Sequence, residues 1–150
     1  MSSLPVEVRG GLKRAALRTG YAFAVVINLA MLIIVQNILE WGWLPFLTEE
    51  FTSVVPWISL SLVVSIVANF VYQFNDTVVV KSTGQILVNL VSLFVTYQVF
   101  TVFPFDFSGS GFDWTLTARI VLILAMIGVA VGMLTEAIRL TQSAMTKRTA

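Results

Sequence analysis

The chain has 150 residues, of which 57% are hydrophobic and only 11% charged, with a formal net charge of +1. Because a soluble domain has about 25% charged residues, this composition excludes an ordinary water-exposed surface, and the small net charge gives no reason to expect a nucleic-acid partner. The sequence contains no Cys and no His. Disulfides, zinc sites built from these residues and imidazole acid–base catalysis are therefore excluded. We expect no cofactor and no metal, and an enzyme is not favoured.

Four apolar runs predict the fold, at residues 21–39, 54–73, 84–103 and 114–138. A helix rises about 1.5 Å per residue, so roughly 20 residues cross a hydrocarbon core about 30 Å thick, and each run meets or approaches that length. Backbone amides in lipid must bond within their own segment, which favours helices over strands. With short loops between them, the runs predict an all-α polytopic membrane protein, an up-down-up-down bundle of four transmembrane helices.

Residues 1–20 form a basic segment before the first run. Its basic residues are Arg9, Lys13, Arg14 and Arg18. Leu4, Val8 and Leu12 repeat at helical spacing, so a short amphipathic helix lying on the membrane surface is one interpretation. The other is a basic segment that only sets topology. Residues 139–150 form a C-terminal tail.

Several residues mark predicted helix ends. Ser82 with Gln85 fits a capping box at the start of the third span. Asp113 is a favourable N-cap for the fourth span, because its charge suits the positive end of the helix dipole. Pro45 and Pro104 follow the first and third spans, where a helix must stop.

The distribution of charge predicts the orientation. Lys and Arg concentrate on the cytoplasmic side of membrane proteins. Here they lie before the first span, after the fourth, and, as Lys81, between the second and third, whereas Arg119 is the exception inside the fourth span. The opposite loops carry Glu40, Glu49, Glu50, Asp106 and Asp113. Both termini are therefore predicted to be cytoplasmic, and we expect a bacterial or archaeal plasma membrane.

Aromatic residues cluster at the outer ends of the predicted spans. They are Trp41, Trp43, Phe46, Phe51, Trp57, Phe103, Phe105, Phe107, Phe112 and Trp114. Such rings favour the headgroup boundary, so anchoring in the membrane is the simpler interpretation. A lid over a cavity or a docking surface for a partner is the alternative.

A first group of polar residues lies in the outer half of the spans and comprises Gln36, Glu40, Gln98 and Arg119. Gln36 and Glu40 share a helix face, and Arg119 could pair with Glu40 across a contact between the first and fourth spans. The alternative is that Arg119 extends to the outer headgroups and Glu40 lies in the loop. A ligand-handling role is a further hypothesis, since polar groups within a membrane are often functional.

A second group, at similar depths in the inner half, comprises Asn28, Asn69 and Asn89. A shared hydrogen-bonded layer would hold the helices together with about 0.6–2 kcal/mol per bond. A binding site for a polar substrate is the alternative. Near the inner end of the fourth span, Glu136 and Arg139 have the spacing of an i,i+3 ion pair.

Small residues line one face of two spans. Ser61 and Ser65 lie on the second span, and Ala125, Gly128 and Gly132 on the fourth. Gly128 and Gly132 form a G-x-x-x-G pair, which lets two helix backbones approach closely. The pattern predicts helix packing, either within the bundle or between copies of the chain.

No motif in the sequence identifies a reaction or a solute. The small-residue faces, the aromatic loops and the lack of deep charges favour an accessory, assembly or scaffold subunit of a larger membrane complex. The alternative is a small oligomeric transporter or channel for a polar solute or ion, although it would lack a carboxylate at mid-depth. A lipid-modifying enzyme would lack a recognisable nucleophile and base. The expected partners are the lipid bilayer and either another membrane protein or further copies of the chain.

Overall fold

The computed structural model describes residues 6–109 and 111–148. Its four helices are α1 (Val6–Trp41), α2 (Phe51–Phe74), α3 (Val78–Val102) and α4 (Trp114–Arg148). All four are long and apolar enough to cross a membrane. The predicted all-α membrane fold with four transmembrane helices is confirmed.

The helices pack in chain order, α1 against α2, α2 against α3 and α3 against α4. Neighbouring helices are antiparallel. The amide of Gln73, near the end of α2, donates to the carbonyl of Arg18 in the first half of α1 at 3.0 Å. Ser82, near the start of α3, contacts Glu136 in the later part of α4. Within the described chain, no Cα of α1 lies within 8 Å of α4. The result is an up-down-up-down bundle in which the first and last helices do not pack against each other.

The first and last helices are longer than a membrane crossing requires. α1 has 36 residues and α4 has 35, which at 1.5 Å per residue is about 50 Å or slightly more, against a hydrocarbon core of about 30 Å. The surplus lies where residues 75–77 join α2 to α3. We call this side of the bundle the terminal end.

The described part of the basic segment, residues 6–20, belongs to α1 itself, which runs without a break to Trp41. Leu4, one of the residues at helical spacing, lies outside the described residues. This segment is thus continuous with the first span and does not form a separate helix on the membrane surface. The physical reason is that extending an existing helix adds a hydrogen bond per residue with no new nucleation cost. The segment has no Pro after Pro5 to stop the helix, and Gly10 and Gly11 are tolerated within it.

The predicted helix ends were partly right. The backbone N–H of Leu116 donates to the Asp113 carboxylate at 2.9 Å, which confirms this N-cap. The capping box at Ser82 was wrong, because α3 begins at Val78 with Thr77 as its N-cap. Only residues 75–77 separate α2 from α3. This short turn is stabilised by a hydrogen bond from the backbone N–H of Thr77 to the Asn75 side chain at 3.2 Å.

The loops at the other side of the bundle, 42–50 and 103–113, are joined to each other. Leu47 and Phe105 form an isolated antiparallel bridge. On either side of it, Thr48 N–H donates to the Pro104 carbonyl at 3.1 Å and Asp106 N–H to the Phe46 carbonyl at 2.8 Å. We call this side the aromatic end.

A small core lies next to the bridged loops. Its buried residues are Val35, Phe51 and Val54, with Val99 and Val102 of α3 packed against them. Since this core draws on α1, α2 and α3, it holds the first three helices together at the aromatic end.

Candidate functional site

Side chains from all four helices meet at the terminal end. They are Tyr21 of α1, Tyr72 of α2, Lys81 and Ser82 of α3, and Glu136 of α4, and we call them the terminal polar cluster. Sequence reasoning did not identify three of them, Tyr21, Tyr72 and Lys81, as site residues. The available signal was weak, namely that two of the chain's three Tyr residues lie at this boundary.

The two tyrosines connect the first three helices. Their rings meet edge to face, with centroids 5.6 Å apart. The ammonium of Lys81 lies 5.3 Å from the centroid of the Tyr21 ring, as in a cation–π contact. The Tyr72 hydroxyl donates to the backbone carbonyl of Lys81 at 3.2 Å. The buried Tyr21 hydroxyl makes no hydrogen bond to the described residues.

Gly84 makes the space that the Tyr72 ring occupies. A Cβ built on this glycine would lie 3.0 Å from Cε1 and 3.1 Å from Cζ of Tyr72. Since carbon atoms in packed proteins do not approach this closely without displacement, α2 and α3 can keep their present separation only with glycine at this position.

Glu136 connects α3 to α4. One carboxylate oxygen accepts a hydrogen bond from the Ser82 hydroxyl at 2.7 Å. The other forms an ion pair with the Arg139 guanidinium at 2.8 Å, which confirms the predicted i,i+3 pair. Ser82 is 2% exposed, so its hydroxyl depends on this carboxylate for its partner. Between helices, the cluster is held by hydrogen bonds, by the contact of the two tyrosine rings and by the cation–π contact of Lys81, whereas its ion pair lies within α4.

The predicted outer group is not brought together around an ion pair. Arg119 does not pair with Glu40, because α1 and α4 are not in contact. Gln36 and Glu40 lie exposed on α1, whereas Gln98 and Arg119 are half-buried on α3 and α4. The prediction failed because it assumed a closed ring of helices, in which the first and fourth would be neighbours.

Arg119 instead contacts aromatic rings at the end of α3. Its guanidinium carbon lies 4.4 Å from the centroid of the Phe103 ring and 5.4 Å from that of Phe100. Phe103 has a φ of 47°, in the left-handed region, which costs a residue with a side chain about 1–2 kcal/mol. The cation–π contact offsets part of that cost, since such contacts contribute about 0.5–1 kcal/mol at exposed sites.

The three asparagines do not form the predicted hydrogen-bonded layer. The amides of Asn28 and Asn69 each donate to the carbonyl four residues earlier in their own helix, at 2.7 and 2.8 Å. Asn89 accepts a hydrogen bond from Gln85 of the same helix at 3.1 Å. A carbonyl one turn away is available in every helix, so these bonds form without aligning three separate helices.

The small residues of α4 lie in two different environments. A Cβ built on Gly132 would lie 3.2 Å from the amide nitrogen of Asn89, so this glycine faces α3. Gly128 is exposed with nothing within 4 Å of its built Cβ, and Ala125 is also exposed. Ser61 and Ser65 of α2 are half-buried. Packing within the bundle therefore involves Gly132, whereas association through Gly128 stays a prediction.

The aromatic end carries an open groove of about 660 Å³ beside the bridged loops. The rings of Phe46 and Phe107 stack there, with centroids 5.3 Å apart, and Phe105 stacks on Phe107 at 6.0 Å. The backbone N–H of Ser108 donates to the Asp106 carboxylate at 2.9 Å. This bond, with a further contribution from the Ser108 hydroxyl, lowers the pKa of Asp106 below its usual value.

Comparisons with protein families, with curated proteins and with solved structures found no match to this chain.

Proposed function

We propose that this chain is an accessory, assembly or scaffold subunit of a larger membrane complex. The observation that supports the proposal is the outward-facing amide of Gln36 on α1. This side chain is exposed and makes no hydrogen bond to the described residues. Because α4 does not contact α1, the last helix of the chain leaves this face uncovered.

The depth of Gln36 makes its exposure costly. It lies one to two turns before the end of α1 at Trp41, on the membrane side of the aromatic boundary. An amide without a hydrogen-bond partner is expensive in an apolar surrounding. A polar group on a neighbouring transmembrane helix would relieve that cost, with about 0.6–2 kcal/mol for such a bond.

The exposed part of α4 supports the same role. Ala125 and Gly128 lie on its surface, and small residues let a second helix approach the backbone closely. The chain thus offers two faces for association. One, on α1, carries the polar Gln36, and the other, on α4, carries small residues, and these two helices do not contact each other.

The test is purification of the tagged chain from its native membrane in mild detergent, with the mass of the recovered complex measured by native mass spectrometry. We expect a complex of defined stoichiometry with a second polypeptide. Gln36→Leu should lower recovery of that polypeptide about threefold or more, in line with the loss of one interhelical hydrogen bond.

Asn37→Leu is the matched control, because the Asn37 amide already donates to the Ile33 carbonyl of its own helix at 2.7 Å. This variant should recover the complex like the unmodified chain. A monomer in every preparation, or equal losses in the two variants, would contradict the proposal.

The alternative function, a small oligomeric transporter or channel, has less support. It would use polar amides turned towards a common path, and Asn28 and Asn69 instead donate to their own helices. Recovery of a pure homo-oligomer in the same experiment would favour this alternative.

A further inference from the structure

A groove of about 550 Å³ lies between α1 and α2 at the terminal end. Arg18 and Gln73 form its polar end, and its walls are apolar. The main wall residues are Ala22 and Val26 of α1 and Phe70 and Phe74 of α2. Because the Ala22 side chain is small, it leaves space between the larger side chains that line the groove.

The polar end carries a positive charge without a counterion. Arg18 is exposed and forms no ion pair with the described side chains. Gln73 is held beside it, since its amide donates to the Arg18 carbonyl at 3.0 Å. An arginine side chain presents a planar fork of N–H donors that matches the oxygens of a phosphate group.

The groove lies across the membrane boundary. α2 ends at Phe74, one residue beyond Gln73, and residues 75–77 that follow are exposed. Arg18 and Gln73 therefore lie at the level of the lipid headgroups, and the apolar walls continue towards the bilayer interior. Val26 is 61% exposed and Phe70 58% exposed, which leaves their surfaces free to contact an acyl chain.

We infer that this groove binds one anionic phospholipid, with its phosphate at Arg18 and Gln73 and an acyl chain between Val26 and Phe70. The local charge favours an anionic headgroup over a zwitterionic one. Lys13, Arg14 and Arg18 give this part of α1 three positive charges, against the one negative charge of Asp76 in the exposed loop after α2. Basic residues near a membrane surface attract anionic lipids. The inference is independent of the proposed subunit role.

The test is native mass spectrometry of the full chain in detergent, titrated with phosphatidylglycerol or with phosphatidylcholine of identical acyl chains. Arg18→Gln should weaken phosphatidylglycerol binding about tenfold, as expected for the loss of a charge-assisted hydrogen bond between the guanidinium and the phosphate, and should weaken phosphatidylcholine binding less, because the choline group already neutralises that phosphate. Arg14→Gln is the matched control, since it makes the same change in charge one turn away and outside the groove. It should weaken binding less than twofold.

A second variant tests the apolar part. Ala22→Phe places a ring in the groove at an exposed position, so it should weaken binding of both lipids; if its helical circular dichroism is reduced, Ala22→Leu takes its place. Equal effects of Arg14→Gln and Arg18→Gln would reduce the site to diffuse surface charge and overturn the inference. Undiminished binding with the groove filled would overturn it as well.

Discussion

Among single residues, Gly84 sets how closely α2 and α3 approach at the terminal end. The Tyr72 ring that fills the space beside it is fixed on two sides, by the Tyr21 ring at 5.6 Å between centroids and by the hydrogen bond to the Lys81 carbonyl. The ring therefore cannot move aside without breaking one of these contacts. Glycine is required at this position for its small size, since α3 is helical here.

Gly84→Ala should destabilise the bundle by about 1–3 kcal/mol, the usual cost of overpacking a close contact. The measurement is unfolding in mixed micelles with increasing SDS, followed by circular dichroism. Gly128→Ala is the control, because nothing lies within 4 Å of a Cβ built there. That variant should be neutral or gain up to about 1 kcal/mol from the higher helix propensity of Ala. Equal stabilities of the two variants would contradict the packing assigned to Gly84.

The sequence predicted residue contacts that are local in the chain. Asp113 caps its own helix and Glu136 pairs with Arg139 one turn away, and both follow from spacing alone. The contact between Ser82 and Glu136 joins residues 54 positions apart, so it depends on how α3 and α4 are rotated against each other. No local pattern contains that information.

Among elements, the two loops of the aromatic end connect the α1–α2 hairpin to the α3–α4 hairpin through hydrogen bonds. The hydrogen bonds on either side of Leu47 and Phe105 identify them as a directly opposed, non-hydrogen-bonded pair. In such pairs the Cα atoms are about 4.5 Å apart, a separation that a disulfide can span.

Leu47→Cys combined with Phe105→Cys should therefore form an intramolecular disulfide under mild oxidation. The chain contains no native Cys, so the only thiols are the introduced ones. The measurement is the loss of both thiols to a maleimide-linked polyethylene glycol in a gel-shift assay. Trp43→Cys combined with Phe105→Cys is the control, because the bridge partner of Phe105 is Leu47, whereas the Trp43 ring contacts Trp41. Free thiols in the first pair would show that the loops are not joined in this way.

Hydropathy predicted that the chain has four membrane-spanning helices, but it did not predict every residue at which these helices begin and end. Pro45 and Pro104 correctly marked where α1 and α3 end. The spacing of apolar residues before the first span indicated a helix as one interpretation, but its continuity with the span was not predicted, because the exposed basic part of α1 lacks the apolar signal of a span. The order of packing was missed as well, since hydropathy indicates that four helices cross the membrane and contains nothing on which pairs become neighbours.

For the whole molecule, the two ends of the bundle differ in charge and in aromatic content. Eight of the nine Lys and Arg residues belong to the terminal end, with Arg119 as the exception, whereas five of the eight acidic residues and all four Trp residues lie towards the aromatic end. By the preference of basic residues for the cytoplasmic side, we expect the extended parts of α1 and α4 to project into the cytoplasm.

The expectation can be measured with single cysteines and a membrane-impermeant maleimide. Ser108→Cys, at the aromatic end, should be labelled in intact cells, whereas Gln142→Cys should be labelled only after the membrane is permeabilised; both positions are exposed. Val95→Cys is the control for specificity, since this position is buried and should react only after denaturation. The reverse labelling of the first two variants would place the termini outside.

Packing in chain order has a consequence for biogenesis. Each helix docks on the segment translated just before it, so the nascent chain can assemble vectorially while the ribosome is still at work. A polypeptide arrested after α2 already possesses the complete contact surface of its first hairpin. The short sequence separation of these contacts is also characteristic of rapid folding. The pairing of Leu47 with Phe105 then has to wait for the third crossing, which makes it a natural marker of completed membrane integration.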